Sequence, residues 1–146
     1  MKSTTLLVGN VESVLSEMTG SFDTFCCYDV LEHLYDRAAA LDGLRALAAT
    51  DARLHVSVPN VRHYSLFRDL VVRGTFGYAP EGHRDVTHLR WFIRADMERL
   101  LRDCGWLPIE TTTQSFPAVR RTIIRAPAGH ARELFAVQWH ILSRAG

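Results

Sequence analysis

Phe22 to Leu34 reads FDTFCCYDVLEHL, and this stretch sets the fold class. Its first half, Phe22 to Tyr28, is short, aromatic and largely apolar, the composition of a buried strand. Asp29-Val30-Leu31-Glu32-His33-Leu34 follows directly and leads into a helical stretch. Asp36 is suited to cap that helix, whose apolar face is Ala40, Leu41, Leu44, Leu47 and Ala48. Downstream, Arg53 to Val58 alternates with Leu54, Val56 and Val58 on one face, and Pro59-Asn60 ends it. Ser65 to Arg73 places Leu66, Phe67, Leu70 and Val71 at helical spacing, stopped by Gly74. Arg94 to Cys104 is the clearest helix, with Met97, Leu100, Leu101 and Cys104 in one stripe and Gly105 at its C′ position. Trp106 to Thr113 reads as a strand.

Toward the ends the pattern is thinner. Thr4 to Val8 is a short strand candidate, and Val11 to Met18 offers two helical turns. Phe135, Val137, Trp139 and Ile141 alternate with Ala136, Gln138 and His140, which favours a final strand, with a helix over Ala131 to Leu142 as the competing reading. Alternation of strands and helices argues an α/β fold with a mostly parallel sheet. The last strand arrives without a clear crossover helix, so it is expected to run antiparallel.

Composition narrows the function. The 146 residues, 47% apolar and 23% charged, suit one soluble domain over 1–146. With 17 basic and 16 acidic residues the net charge is +1, and no single-sign field exists to attract nucleic acid or an anionic membrane. Cys26 and Cys27 are adjacent in an apolar run and Cys104 is distant, which is neither a disulfide framework nor a zinc spacing. Buried thiols in a reducing compartment are the expectation, and with no signal peptide or membrane span a cytoplasmic protein follows.

Three segments together resemble one branch of the class I S-adenosylmethionine (AdoMet)-dependent methyltransferases. They are DVLEHL at Asp29 to Leu34, SVPNVRHY at Ser57 to Tyr64, and DVTHLRWF at Asp85 to Phe92. The resemblance covers Leu6 to Ile109 and implies a partial Rossmann-like methyltransferase sheet, in which these segments follow the fourth and fifth strands and the insertion beyond. Leu6 to Asn10 then matches the end of the family's third strand, so Asn10 and Val11 stand at the cofactor's adenine, with Asn10 where the family usually has an acid. The family's first strands and its glycine-rich turn find no counterpart in this sequence. That turn lets the backbone approach the cofactor, so this chain alone is expected to bind AdoMet weakly or not at all.

The candidate site follows from position. Asp29 ends a strand, where ligands bind in open α/β sheets, and borders the methyl donor; its other use is to cap the turn. His33 is suited to deprotonate an acceptor, and Glu32 beside it to form an acid/base pair. Asn60, His63 and Tyr64 lie on the same rim and are expected to line the acceptor site. Thr75 to Arg90 is a loop long enough to cover a site, with His88 and Arg90 toward the acceptor, Arg90 as a clamp for an anionic one. Trp91 and Phe92 are expected in the core. His83, Asp85 and His88 fit no zinc spacing, so no metal is expected. Arg120, Arg121 and Arg125 read as a solvated basic face. The implied activity is methyl transfer to a small-molecule or sugar acceptor. The competing reading is an inactive remnant acting as an oligomerising or interaction domain, because the strand Phe22 to Tyr28 keeps an open edge to be covered by a missing N-terminal half or a second copy.

Overall fold

The computed structural model describes residues 6–80, 82–114 and 133–146. Its elements are α1 (Val11–Glu17), β1 (Phe22–Tyr28), α2 (Arg37–Ala46), β2 (Ala48–Pro59), α3 (Tyr64–Phe67), α4 (Arg94–Asp103), β3 (Trp106–Gln114) and β4 (Gln138–Ala145). The four strands form one sheet in the order β1-β2-β4-β3. β1 and β2 are parallel, and β4 is antiparallel to both of its neighbours, β2 and β3. Three strands therefore share one direction and the last opposes them, as the missing crossover helix implied.

Local signals explain the elements. Asp36 caps α2 by accepting from the Ala39 amide at 2.9 Å, and Asn10 caps α1 by accepting from Glu12 at 2.9 Å. Gly105 takes φ +75° after α4 and turns the chain into β3. In β2 the alternation buries Ala52, Leu54, Val56 and Val58, against Trp139 and Ile141 of β4. Ala40, Leu41 and Leu44 of α2 and Met97 and Leu101 of α4 close this core. Trp106 is fully buried in it, packs edge-on to Phe25 at 5.8 Å and donates its indole N–H to the Leu41 carbonyl at 3.1 Å. α1 stacks on α2, Leu15 resting where Gly43 has no side chain.

The helices that feed the core, α1, α2 and α4, all supply it from one face of the sheet. The opposite face carries Tyr28, His55, Thr112 and His140 around a shallow hollow of about 170 Å³. β1 is an edge strand of the described sheet, so the expected buried strand buries only Phe25; Cys26 is exposed and Cys27 half-buried, leaving Cys104 as the buried thiol. Burial pushes the Cys27 thiol up to about 11.

Other expectations shift. Leu6 to Val8 are exposed and form no strand; Thr4 and Thr5 lie outside the described residues. Ala48, expected on the helix, opens β2, which starts five residues early and passes through Asp51 at φ +62°. The expected helix over Ser65 to Arg73 is one α turn, α3, continued by a π turn at Arg68–Val72, with Phe67, Leu70 and Val71 exposed. Arg120, Arg121 and Arg125 lie outside the described residues. Among the described residues no helix is long and apolar enough to cross a membrane.

Candidate functional site

β1 and β2 end side by side, and their carboxyl rim is built by short-range bonding. Asp29 takes φ +53°, a left-handed conformation that Asp tolerates better than most residues. Its amide donates to the Ser57 carbonyl at 3.2 Å, and its carboxylate accepts from the Ser57 hydroxyl at 3.2 Å and from the Gln138 amide. Residues from two adjacent strands, Ser57 of β2 and Gln138 of β4, thus hold this carboxylate in place.

Beyond Asp29 the chain makes a 3-10 turn at Leu31–His33. The turn buries Leu31 and, beside it, Glu32, which is 1% exposed. The Glu32 carbonyl accepts from the Leu89 amide at 2.8 Å and the Arg90 amide at 3.1 Å, which pins the long loop to this turn. The His33 ring lies edge-on to His88, centroids 4.8 Å apart, and His33 Nδ1 meets the Thr87 carbonyl at 3.1 Å. A carbonyl only accepts, so Nδ1 carries the hydrogen and Nε2 of the neutral ring keeps its lone pair.

Asp29, Glu32, His33, Pro59, His83, Asp85, His88 and Gln138 line one polar hollow of about 280 Å³. Burial raises the Glu32 carboxyl to about 7, with Asp29 adding to the effect. Burial also lowers His83 to about 4, helped by the neighbouring His63, His88 and Arg84, and it holds His63 and His88 below their usual value. The hollow therefore disfavours charge on Glu32, His83 and His88, while hydrogen bonds from Thr87 favour it on Asp85.

The loop that closes it is tied down from the far side. Asp69, nearly buried, accepts from Arg68 at 2.9 Å and Arg73 at 3.2 Å and pairs with Arg84 at 3.3 Å. Arg84 belongs to a 3-10 turn, Gly82–Arg84, and Ala79 bridges Asp85 across the loop. The covering role expected of Thr75 to Arg90 has a physical anchor in Asp69, whose place no sequence signal marked.

A second hollow flanks the same strand end. Val61, Arg62, Leu66, Phe67, Leu70, Phe76, Trp91 and Leu134 enclose about 440 Å³. Trp91, expected in the core, is 43% exposed and lines it, while Phe92 is the buried one of the pair. Sequence reading missed this hollow because its apolar residues look like core.

Of the expected residues, the polar hollow gathers Asp29, His33 and His88. Asn60 is fully buried: its amide donates to the Glu133 and Ala136 carbonyls at 2.7 and 2.8 Å, and its oxygen accepts from the Arg62 amide at 3.1 Å. It locks the strand end and faces no ligand space. His63 is buried, meets Ser65 Oγ at 2.8 Å and stacks on His83 at 5.0 Å, so it stands behind the hollow. Tyr64 is half-exposed beside Phe135. Arg90 reaches the Tyr35 carbonyl at 3.4 Å and its own neighbour's at 2.8 Å, away from both hollows. Asn10 and Val11 sit at the start of α1, where the Asn10 oxygen is engaged as the cap.

Of what an AdoMet site would need, this rim offers a fixed carboxylate and not the glycine cradle. Asp29 supplies a fixed carboxylate at a strand end. No glycine follows β1 or β2 at that rim; the left-handed glycines Gly20 and Gly105 precede strands, and Gly74 and Gly82 lie in the loop.

No protein-family model and no curated protein sequence matches the chain. Solved structures do. A SAM-dependent methyltransferase from Archaeoglobus fulgidus superposes with a TM-score of 0.64 at 14% identity, over 94% of this chain and 66% of that one. Magnesium protoporphyrin IX methyltransferase from Synechocystis, with bound SAH, gives 0.54 at 18% identity, over 90% and 48%. The 1,6-didemethyltoxoflavin-N1-methyltransferase of Burkholderia thailandensis, with 1,6-didemethyltoxoflavin and S-adenosylhomocysteine bound, gives 0.55 at 16% identity, over 90% and 48%. The chain spans about half the length of these last two proteins. The mixed sheet, its antiparallel last strand and these superpositions together establish that the chain has the α/β fold of the class I SAM-dependent methyltransferases and corresponds to part of it.

Proposed function

We propose that this chain forms the acceptor-side wall of an AdoMet-dependent methyl-transfer cleft, acting on a small-molecule or sugar acceptor. The observation that carries the reading is the carboxylate of Asp29, fixed by Ser57 and Gln138 where two parallel strands end, with His33 in the same hollow. The cofactor supplies an electrophilic methyl group. This chain's residues orient the acceptor, keep water out and take a proton. Asp29 accepts hydrogen bonds from ligand hydroxyl or amino groups at the rim. His33 Nε2, with its lone pair free, takes the proton of an acceptor hydroxyl or amine. The loop from Ala79 to His88, anchored through Arg84 to Asp69, excludes water. The apolar hollow under Trp91 holds the body of the acceptor, and Arg62 at its edge meets a polar substituent.

Saturation-transfer NMR with millimolar S-adenosylhomocysteine tests this. Transfer to the adenosine and homocysteine protons is expected, and its loss in Asp29→Ala. A folded chain that gives no transfer at that concentration overturns the reading.

A second reading has its own observation. Among the described residues nothing pairs with the outer side of β1, where Cys26 and Tyr28 are exposed. Such an edge pairs readily with another strand, so a homodimer or a partner polypeptide covers it. Sedimentation equilibrium distinguishes the cases: a monomer at every concentration removes the homodimer.

A further inference from the structure

The polar hollow contains a group that hydrogen bonding does not explain. Both carboxylate oxygens of Glu32 are buried, and neither has a hydrogen-bond partner among the described residues. Buried polar atoms are nearly always paired, and an orphaned carboxylate is among the costliest exceptions. The ligand atoms of Glu32, His33 and His88 lie within 4.8 Å of one another. His33 Nδ1 is occupied by the Thr87 carbonyl, which orients the ring as outer partners of metal-binding histidines do and leaves Nε2 as the nitrogen available to a ligand. His88 comes from the far loop, which two hydrogen bonds to the Glu32 carbonyl hold against the turn.

We infer that Glu32, His33 and His88 form a binding site for a divalent first-row transition-metal ion such as zinc, cobalt or manganese. Two imidazoles and one carboxylate are a donor set these ions accept, and three protein ligands leave coordination positions open toward the hollow. The ion gives the buried Glu32 carboxylate a partner. The sequence could not suggest this, since His88 stands 55 residues beyond His33 and the spacing matches no zinc pattern. Binding of the ion stands independently of methyl transfer. Its use in the reaction rests on the methyl-transfer reading: an acceptor hydroxyl at an open position becomes easier to deprotonate, and with His33 now a ligand the Asp29 carboxylate in the same hollow takes the proton.

The test is a titration of the intact chain, stripped with a chelator, using cobalt followed by visible d–d absorption and zinc followed by calorimetry. One ion per chain is expected, with a melting temperature that rises with free zinc. Glu32→Gln and His88→Asn are each expected to weaken binding by about tenfold or more, while circular dichroism reports that they remain folded. Should one of them unfold, the other carries the test, with His33→Asn as a third. A flat titration of the folded chain overturns the proposal, as does cobalt binding left unchanged by these substitutions. Neither result bears on S-adenosylhomocysteine binding, which is measured with no metal present.

Discussion

The two hollows on either side of the β2 terminus are built from opposite materials. One holds the carboxylate of Glu32 and Nδ1 of His83, buried polar atoms without a partner among the described residues. The other exposes Phe67, Leu70, Phe76 and Trp91 to water. Both are unfavourable for the isolated chain, and each is relieved by a different kind of guest: hydrogen-bonding or ligating groups in the first, apolar surface in the second. Asn60 stands between them, with Pro59 lining one hollow and Val61 and Arg62 the other. A cleft that must fix a polar reacting centre while gripping an acceptor's body needs this division.

Breaking the partition should have the largest effect. Asn60→Ala removes three hydrogen bonds in a site of no exposure and leaves the Ala136 carbonyl unpaired, the Glu133 carbonyl keeping only the Ala136 amide. A loss of about 3 kcal/mol is expected from urea denaturation, at roughly 1 kcal/mol per bond. Asp69→Ala comes next, with a smaller loss as the charge-assisted bonds from Arg68, Arg73 and Arg84 go. Its specific signature is faster hydrogen exchange at Ala79 and Val86, whose amides are bonded within the loop. Loss of stability without that change would detach the loop from its supposed anchor.

A smaller effect separates the hollows by pH. The Glu32 carboxyl is raised above its unfolded value to about 7, so the folded state holds a proton that the unfolded chain releases. Metal-free protein should therefore lose stability as pH rises from about 4.5 to 7, with no further loss from this group above that window. Glu32→Gln should flatten that part of the melting-temperature profile. The smallest change concerns the apolar side. Trp91→Ala removes a half-exposed ring and should cost about 1 kcal/mol or less, yet weaken uptake of an apolar fluorescent probe. Equal weakening by Glu32→Gln would mean that the two hollows do not act separately.

Much of the scaffold was readable from side-chain periodicity. The Met97, Leu101, Cys104 stripe and the Leu54, Val56, Val58 alternation are dictated by packing on one face, and they hold in α4 and β2. What failed is what periodicity does not encode. FDTFCCY reads as buried wherever its strand sits in the sheet, yet β1 lies at the edge and exposes Cys26 and Tyr28. Leu66, Phe67, Leu70 and Val71 suit a helix, but the chain widens into a π turn and turns three of the four outward. At the site, Asp29 was legible because a residue at a strand's carboxyl end has a fixed location in any such sheet. The meeting of Glu32 and His33 with His88 was not, since it depends on how a long loop folds back through two main-chain bonds to Glu32. Asn60 was visible as a residue and misread in role, because burial cannot be seen in a polar side chain after a proline.

Amide chemical-shift mapping of the labelled chain with S-adenosylhomocysteine tests the central claim most directly. Shifts should concentrate at Tyr28 to Leu31 and Ser57 to Pro59's neighbour Asn60, the paired strand ends that hold Asp29. Shifts confined to another surface, or none at saturating ligand with the chain folded, would contradict a methyl-transfer cleft at this rim.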